Sequence, residues 1–285
     1  MEDGGRKKEK RAKALLWCLA AAVFGGGVFL WVLLSDPVAG YTPSGVLMGD
    51  SIYAERSYKA ITEMVEERTG LELQNASLGG TSLSRSDQER WMDLTVDNLS
   101  MVALSKAILA QDFSVQRQAG IRSPATEYFD GTIEEMAGWD FSKVRTLLLA
   151  YGMNDYQNGV PLEIPEKPES EYSFTGALRR ILTDLRSTYP QLRLILLTPT
   201  YSWYLKQGQS CEERDWGGGY LEEYVEREKE LAGEFGVEVL DLYHGLYQHE
   251  EFEDWKLVTV DGVHPNEKGR EMIADRIAAY LEEHP

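Results

Sequence analysis

From Ser44 to the C-terminus, short apolar runs alternate with stretches of helical period. Gly45–Met48, Val144–Ala150, Leu192–Leu197 and Val237–Leu240 are four such runs, each bounded by turn or polar residues. That is the pattern of strands buried on both faces. Between them, apolar residues recur at spacings of three and four. Tyr58, Ile61, Met64 and Val65 form one set, and Ala177, Leu178, Ile181, Leu182 and Leu185 another, within a helix expected from Phe174. Leu221, Tyr224, Val225, Leu231, Ala232 and Phe235 form a third, closed by Gly236. Met272, Ile273, Ile277, Tyr280 and Leu281 mark a last helix, expected over 265–281. Parallel strands need crossover connections, and helices supply them. The alternation therefore restricts the chain to an α/β fold: a three-layer α/β/α sandwich with a parallel sheet. Residues 82–140 break the alternation and read as an insertion, with a helix around Leu99–Leu109 and a turn-rich part around Gly120–Ala125. Gly159–Tyr172, rich in Pro and Glu, reads as a long loop.

The first 43 residues follow different rules. Residues 1–13 hold six basic against three acidic side chains, a net +3, so the remaining chain carries −21 of the total −18. Ala14–Leu34 follows, 21 residues without a charge. A helix of that length rises about 30 Å, enough to cross a bilayer's hydrocarbon core. Trp17 and Trp31 stand near its ends, where amphipathic rings favour the interface. The basic flank assigns 1–13 to the cytoplasm, 14–34 to a transmembrane anchor, 35–43 to a linker and 44–285 to a domain outside the cell membrane. A cleaved signal peptide is the competing reading. Its apolar region is shorter, about 7–15 residues, and Pro37 stands where cleavage before Gly40 wants a small residue. A buried core helix fits poorly behind a basic cluster at a terminus.

Composition excludes several functions. A strongly acidic chain is ill suited to nucleic acid, which needs a basic surface. Two cysteines cannot build a disulfide scaffold, and Cys18 in the apolar stretch cannot meet Cys211 far outside it. Cys211 is then a free thiol or one half of an intermolecular bridge. Asp241, His244 and His249 match no metal-binding spacing, and no metal or organic cofactor is implied.

In a parallel sheet, ligands bind beyond the carboxyl ends of the strands. Gly49-Asp50-Ser51 follows the first strand, and Gly152-Met153-Asn154-Asp155 follows the second. Asn75–Thr81 lies between them, and Asp261-Gly262-Val263-His264 precedes the last helix. A serine hydroxyl needs an adjacent base, and a base needs an orienting group. His264 is the candidate base because Asp261 lies three residues before it. Candidate oxyanion donors are the backbone N–H groups of Ser51 and Gly80 and the side-chain amide of Asn154. Each residue also has a plainer reading: Ser51 as a helix N-cap, Asn154 as a turn residue, His264 as a cap. Tyr201, Trp203 and Tyr204 fall near the same rim, either to stack on a ligand or to pack.

These four blocks, in this order, resemble the SGNH (GDSL-type) hydrolases over roughly Ser44 to the C-terminus. The resemblance implies a flavodoxin-like fold and ester hydrolysis through an acyl-enzyme. Ser51 would be the nucleophile, His264 the base and Asp261 its orienting acid. Ser51, Gly80 and Asn154 would form the oxyanion hole, while Asp50 and Asp155 shape turns. The chain then reads as a membrane-anchored extracytoplasmic esterase, with acyl groups on carbohydrate as candidate substrates. An acyltransferase on the same site and a catalytically silent carbohydrate-binding module are the alternatives.

Overall fold

A computed structural model describes residues 41–55, 57–85, 97–122 and 131–285. The expected cytoplasmic segment and anchor, and most of the linker, lie outside the described residues. No helix among the described residues is long and apolar enough to cross a membrane.

The chain enters the sheet at β1 (Gly45–Gly49) and turns into the short helix α1 (Ser51–Ala54). It continues through α2 (Ile61–Thr69), β2 (Gln74–Asn75), α3 (Met101–Ala110), α4 (Ser114–Arg122) and α5 (Thr132–Gly138). Then come β3 (Thr146–Ala150), α6 (Met153–Gln157), α7 (Phe174–Thr188) and β4 (Arg193–Leu197). A small antiparallel pair, β5 (Trp203–Tyr204) and β6 (Gln209–Ser210), precedes α8 (Leu221–Phe235), β7 (Glu238–Leu240), α9 (Trp255–Val258) and α10 (Glu267–Glu283).

Five strands form one parallel sheet in the order β2-β1-β3-β4-β7. The register stacks Leu47 beside Leu148 and Leu148 beside Ile195. Every residue of β1 is buried, so the sheet is covered on both faces, as its unbroken apolar runs require. Connections leave the β1–β3 centre in both directions, and right-handed crossovers then send the helices to opposite faces. On one face α2 packs against α10; in the other group α7 packs against α3 and α8. The order reverses between β1 and β3, and that crevice is where such sheets bind ligands.

The expected strands and the long helices are present within one to three residues of their predicted ends. Two short elements are not visible as patterns. β2 is only two residues long, and the β5–β6 pair joins a two-residue strand to another. Because β2 is so short, the connection from it to β3 reads as an insertion. Its helix α3 is nonetheless a core element: Met101, Val102, Leu104 and Ile108 are buried, and it packs on α7. The turn-rich reading around Gly120–Ala125 is corrected over 120–122, since α4 runs through Arg122, while 123–125 lie outside the described residues. Gly120 offers turn freedom but does not break a helix already begun, and its cost there is about 1 kcal/mol.

Cys211 is fully buried, with its sulfur 3.6 Å from the Tyr243 hydroxyl, and burial pushes its thiol up to about 11. A thiol so placed is not presented for an intermolecular bridge, which corrects that alternative.

Candidate active site

The site assembles at the carboxyl edge of the sheet. β1 ends at Gly49, where any side chain would collide with the Ala150 carbonyl oxygen 2.9 Å from its Cβ. Asp50 follows, buried, and caps α1 by accepting the Ile52 N–H at 3.0 Å. Burial raises its carboxyl to about 7. Ser51 is the first residue of α1, so its side chain leaves the sheet edge at the crevice.

The next block runs beside β1. Ala76 and Leu78 donate their N–H groups to the Leu47 and Gly49 carbonyls, which carries Gly79 and Gly80 to the level of Ser51. Gly79 is buried, whereas Gly80 is exposed, at φ +73, with nothing within 4 Å of where a Cβ would stand. Gly80 is therefore the more accessible of the two glycines. Asn75 holds this segment to α1, donating its side-chain amide to the Tyr53 carbonyl at 2.8 Å.

Asn154 sits in α6, entered through Gly152 at φ +113; a Cβ there would press on Pro199 at 2.9 Å. The Asn154 amide donates to the Thr81 carbonyl at 2.9 Å, next to Gly80. One of its two hydrogens is thus used, and the second has no partner among the described residues. Asp155 is buried and accepts the Leu83 N–H at 2.8 Å, the Ser84 N–H at 2.9 Å and the Ser84 hydroxyl. It ties the chain just after Gly80 to α6, a positioning role.

The last block closes the set. Ser51 Oγ lies 2.9 Å from His264 Nε2, across 213 residues of sequence. His264 Nδ1 lies 2.8 Å from Asp261 Oδ2. Asp261 Oδ1 also accepts the His264 and Val263 N–H groups, at 2.8 and 3.0 Å. Burial opposes ionisation of Asp261, but the His264 ring and these backbone donors outweigh it and hold the carboxyl at about 2. The same carboxylate raises His264 above the ordinary histidine value, against partial burial of the ring. The loop is seated by Gly262, whose Cβ would meet the Trp203 carbonyl at 2.2 Å, and whose own carbonyl accepts the Trp203 N–H at 2.8 Å.

Two features escape a reading of the sequence. Arg270 of α10 is fully buried and donates to the Ile52, Glu55 and Lys59 carbonyls. It fastens the turn after Ser51 to the helix that begins just after His264. An arginine within a helical pattern reads as solvated, so no signal exposes it. The second feature is a copy. Asp241 and His244 share the spacing of Asp261 and His264 and fold alike, with Nδ1 to Oδ2 at 2.8 Å and a backbone bond at 2.9 Å. The spacing alone therefore does not single out His264. What separates them is the other nitrogen: His244 Nε2 faces Glu222 at 3.3 Å, not a hydroxyl. His249 lies apart, stacked on Tyr201 with ring centroids 3.9 Å apart. No group of three or more His, Cys, Asp or Glu side chains among the described residues is arranged for a metal ion.

A hydroxyl bonded to an imidazole that is oriented by an ionised carboxylate, with candidate backbone and amide donors nearby, has the parts for acyl transfer. No curated protein matches the chain. A protein from Lactobacillus plantarum shares the fold at 18% identity and a TM-score of 0.61, over 86% of this chain and 99% of its own. A "possible lipase" from Chitinophaga pinensis does so at 16% and 0.52, over 84% of this chain and 97% of its own. The model of the GDSL-like lipase/acylhydrolase family matches residues 47–272, which include all four blocks. Fold, block order and that match together make the chain a member of the GDSL-like lipase/acylhydrolase family.

Proposed function

We propose that this protein is a membrane-anchored, extracytoplasmic serine esterase. Family membership supports ester hydrolysis in general. The unbroken contact from Ser51 Oγ through His264 to Asp261, at 2.9 and 2.8 Å, carries the serine mechanism. In it, Ser51 Oγ attacks the acyl carbon as His264 Nε2 takes its proton. Negative charge grows on the carbonyl oxygen, where the N–H groups of Ser51 and Gly80 and the free Asn154 hydrogen receive it. The imidazolium, stabilised by Asp261, returns the proton to the departing alkoxide. Water activated by His264 then hydrolyses the acyl-serine and restores the enzyme. Water, rather than a second alcohol, is proposed as the acceptor. The basic 1–13 segment and the uncharged 14–34 stretch support the anchored topology, which would present the site to extracytoplasmic glycans. Acyl groups on carbohydrate are the proposed substrates.

Fluorophosphonate labelling of the full-length chain, beside Ser51→Ala and His264→Ala, tests the mechanism. Labelling is expected only in the wild type. Labelling that survives Ser51→Ala would assign the nucleophile elsewhere. Extraction of membranes at alkaline pH is expected to leave the full-length chain with the bilayer.

A further inference from the structure

A cavity of about 600 Å³ opens beside His264. Its lining includes His264 and Asp261 but not Ser51, Gly80 or Asn154. The cavity therefore borders the His264 imidazole, and the Ser51, Gly80 and Asn154 donors are not among its walls. When an ester is cleaved, the imidazolium must reach the departing alkoxide oxygen, so the alcohol half of the substrate sits beside the imidazole. We infer that this cavity is the alcohol subsite and that its lining is built for a sugar ring. The inference rests on the serine-esterase reading above.

The walls come from parts of the chain outside the four blocks. β5 contributes Trp203 and Tyr204, and the loop before α8 contributes Trp216. Trp216 is half-buried and meets Tyr204 edge-on, with centroids 5.3 Å apart at 84°. The Arg214 guanidinium covers the Trp216 ring at 4.0 Å from its centroid. Aromatic walls suit the C–H faces of a sugar, and placed polar groups then fix its hydroxyls. Those polar groups are present and uncommitted. Asn158, Lys206 and Gln207 line the cavity, and among the described residues their side chains make no hydrogen bond or ion pair. Gln157 has only a 3.5 Å contact with the Tyr204 hydroxyl. Leu205 and Val263 are the aliphatic members of the lining. A fatty alcohol would leave the half-buried Gln157 and Asn158 amides unpaired, whereas the exposed Lys206 and Gln207 keep water. A polyhydroxylated alcohol pairs with the two amides. The volume falls within the range of about 300–1,000 Å³ usual for small-molecule sites.

The test holds the acyl group constant and varies the alcohol. Full-length enzyme is assayed on ethyl acetate, octyl acetate and a set of monoacetylated methyl glycosides. The best glycoside ester should exceed both alkyl esters in kcat/KM by about tenfold or more. Gln157→Ala and Trp216→Ala should each lower the ratio of glycoside to ethyl ester kcat/KM about tenfold, chiefly through KM. Trp216→Phe, which keeps a ring, should lose less. A preference for octyl acetate, or a ratio unmoved in variants that melt like the wild type, overturns the sugar subsite. Cleavage of ethyl acetate with no preference for any glycoside also defeats the subsite and leaves the esterase standing. If no ester is cleaved and Ser51 is not labelled, the esterase reading fails, and the subsite fails with it.

Discussion

His264 is held from two sides. Asp261 fixes its Nδ1, and Ser51 lies at its Nε2. Because Asp261 raises the imidazole above its ordinary value, the acidic limb of a kcat/KM profile should have its midpoint above 6.5. Activity falls as pH drops through that midpoint and the base is protonated. Asp261→Asn should move the limb to lower pH and reduce kcat by about 10³–10⁴, read from pH profiles of both proteins. A limb that stays in place would remove Asp261 from the role. Asn154→Ala should cost about 10²–10³ in kcat with a smaller change in KM, as expected for a donor to the developing oxyanion. Asp50 bears on folding in a different way. Its folded carboxyl stands near 7, above an unfolded value near 3.8, so its protonated form favours the fold at low pH. That contribution is complete below the unfolded value and disappears as pH rises through about 7. Thermal melts at pH 4, 5.5 and 7.5 should therefore show Asp50→Asn gaining on the wild type as pH rises.

Elements place these residues, and α10 does more of that work than its sequence suggests. Its start carries Asn266, whose side chain accepts the Gly269 N–H at 3.1 Å, immediately after His264. One turn later Arg270 reaches three carbonyls around α1. Serine and histidine thus share one clamp, although the chain separates them by most of its length. Arg270→Ala would leave the buried Ile52 carbonyl without its donor and open a cavity. It should destabilise the fold by about 3–5 kcal/mol, measured by denaturant unfolding. A loss under about 1 kcal/mol would mean that water replaces the guanidinium. The long helices were legible because each carries a broad apolar face; in α7, Phe174, Leu178, Ile181, Leu182 and Leu185 are all buried. β2 and the β5–β6 pair were not legible, because two residues cannot display an alternation. The cavity wall at Trp203 and Tyr204 depends on one of those short elements. From the sequence, packing and ligand contact were equally good readings of these rings. In the fold Trp203 packs against Tyr201 and also lines the cavity.

At the scale of the molecule, the proposed anchor and the acidic body are expected to be separable. Deleting residues 1–34 should move the protein from the membrane to the soluble fraction while kcat/KM on ethyl acetate stays within about twofold, since Thr42–Pro285 forms its own compact unit. Fractionation and assay of the truncated chain check both parts. The sequence by itself determined the α/β class, the four polar blocks and their candidate residues, because strand and helix periods and turn residues are local properties of the chain. The Asp-x-x-His spacing by itself did not distinguish Asp261–His264 from Asp241–His244, and nothing in the sequence exposed Arg270 as a clamp or located the cavity wall. Those were decided by the tertiary structure alone. Each depends on which groups meet across hundreds of residues, and a spacing along the chain carries no information about what faces the second nitrogen of a histidine.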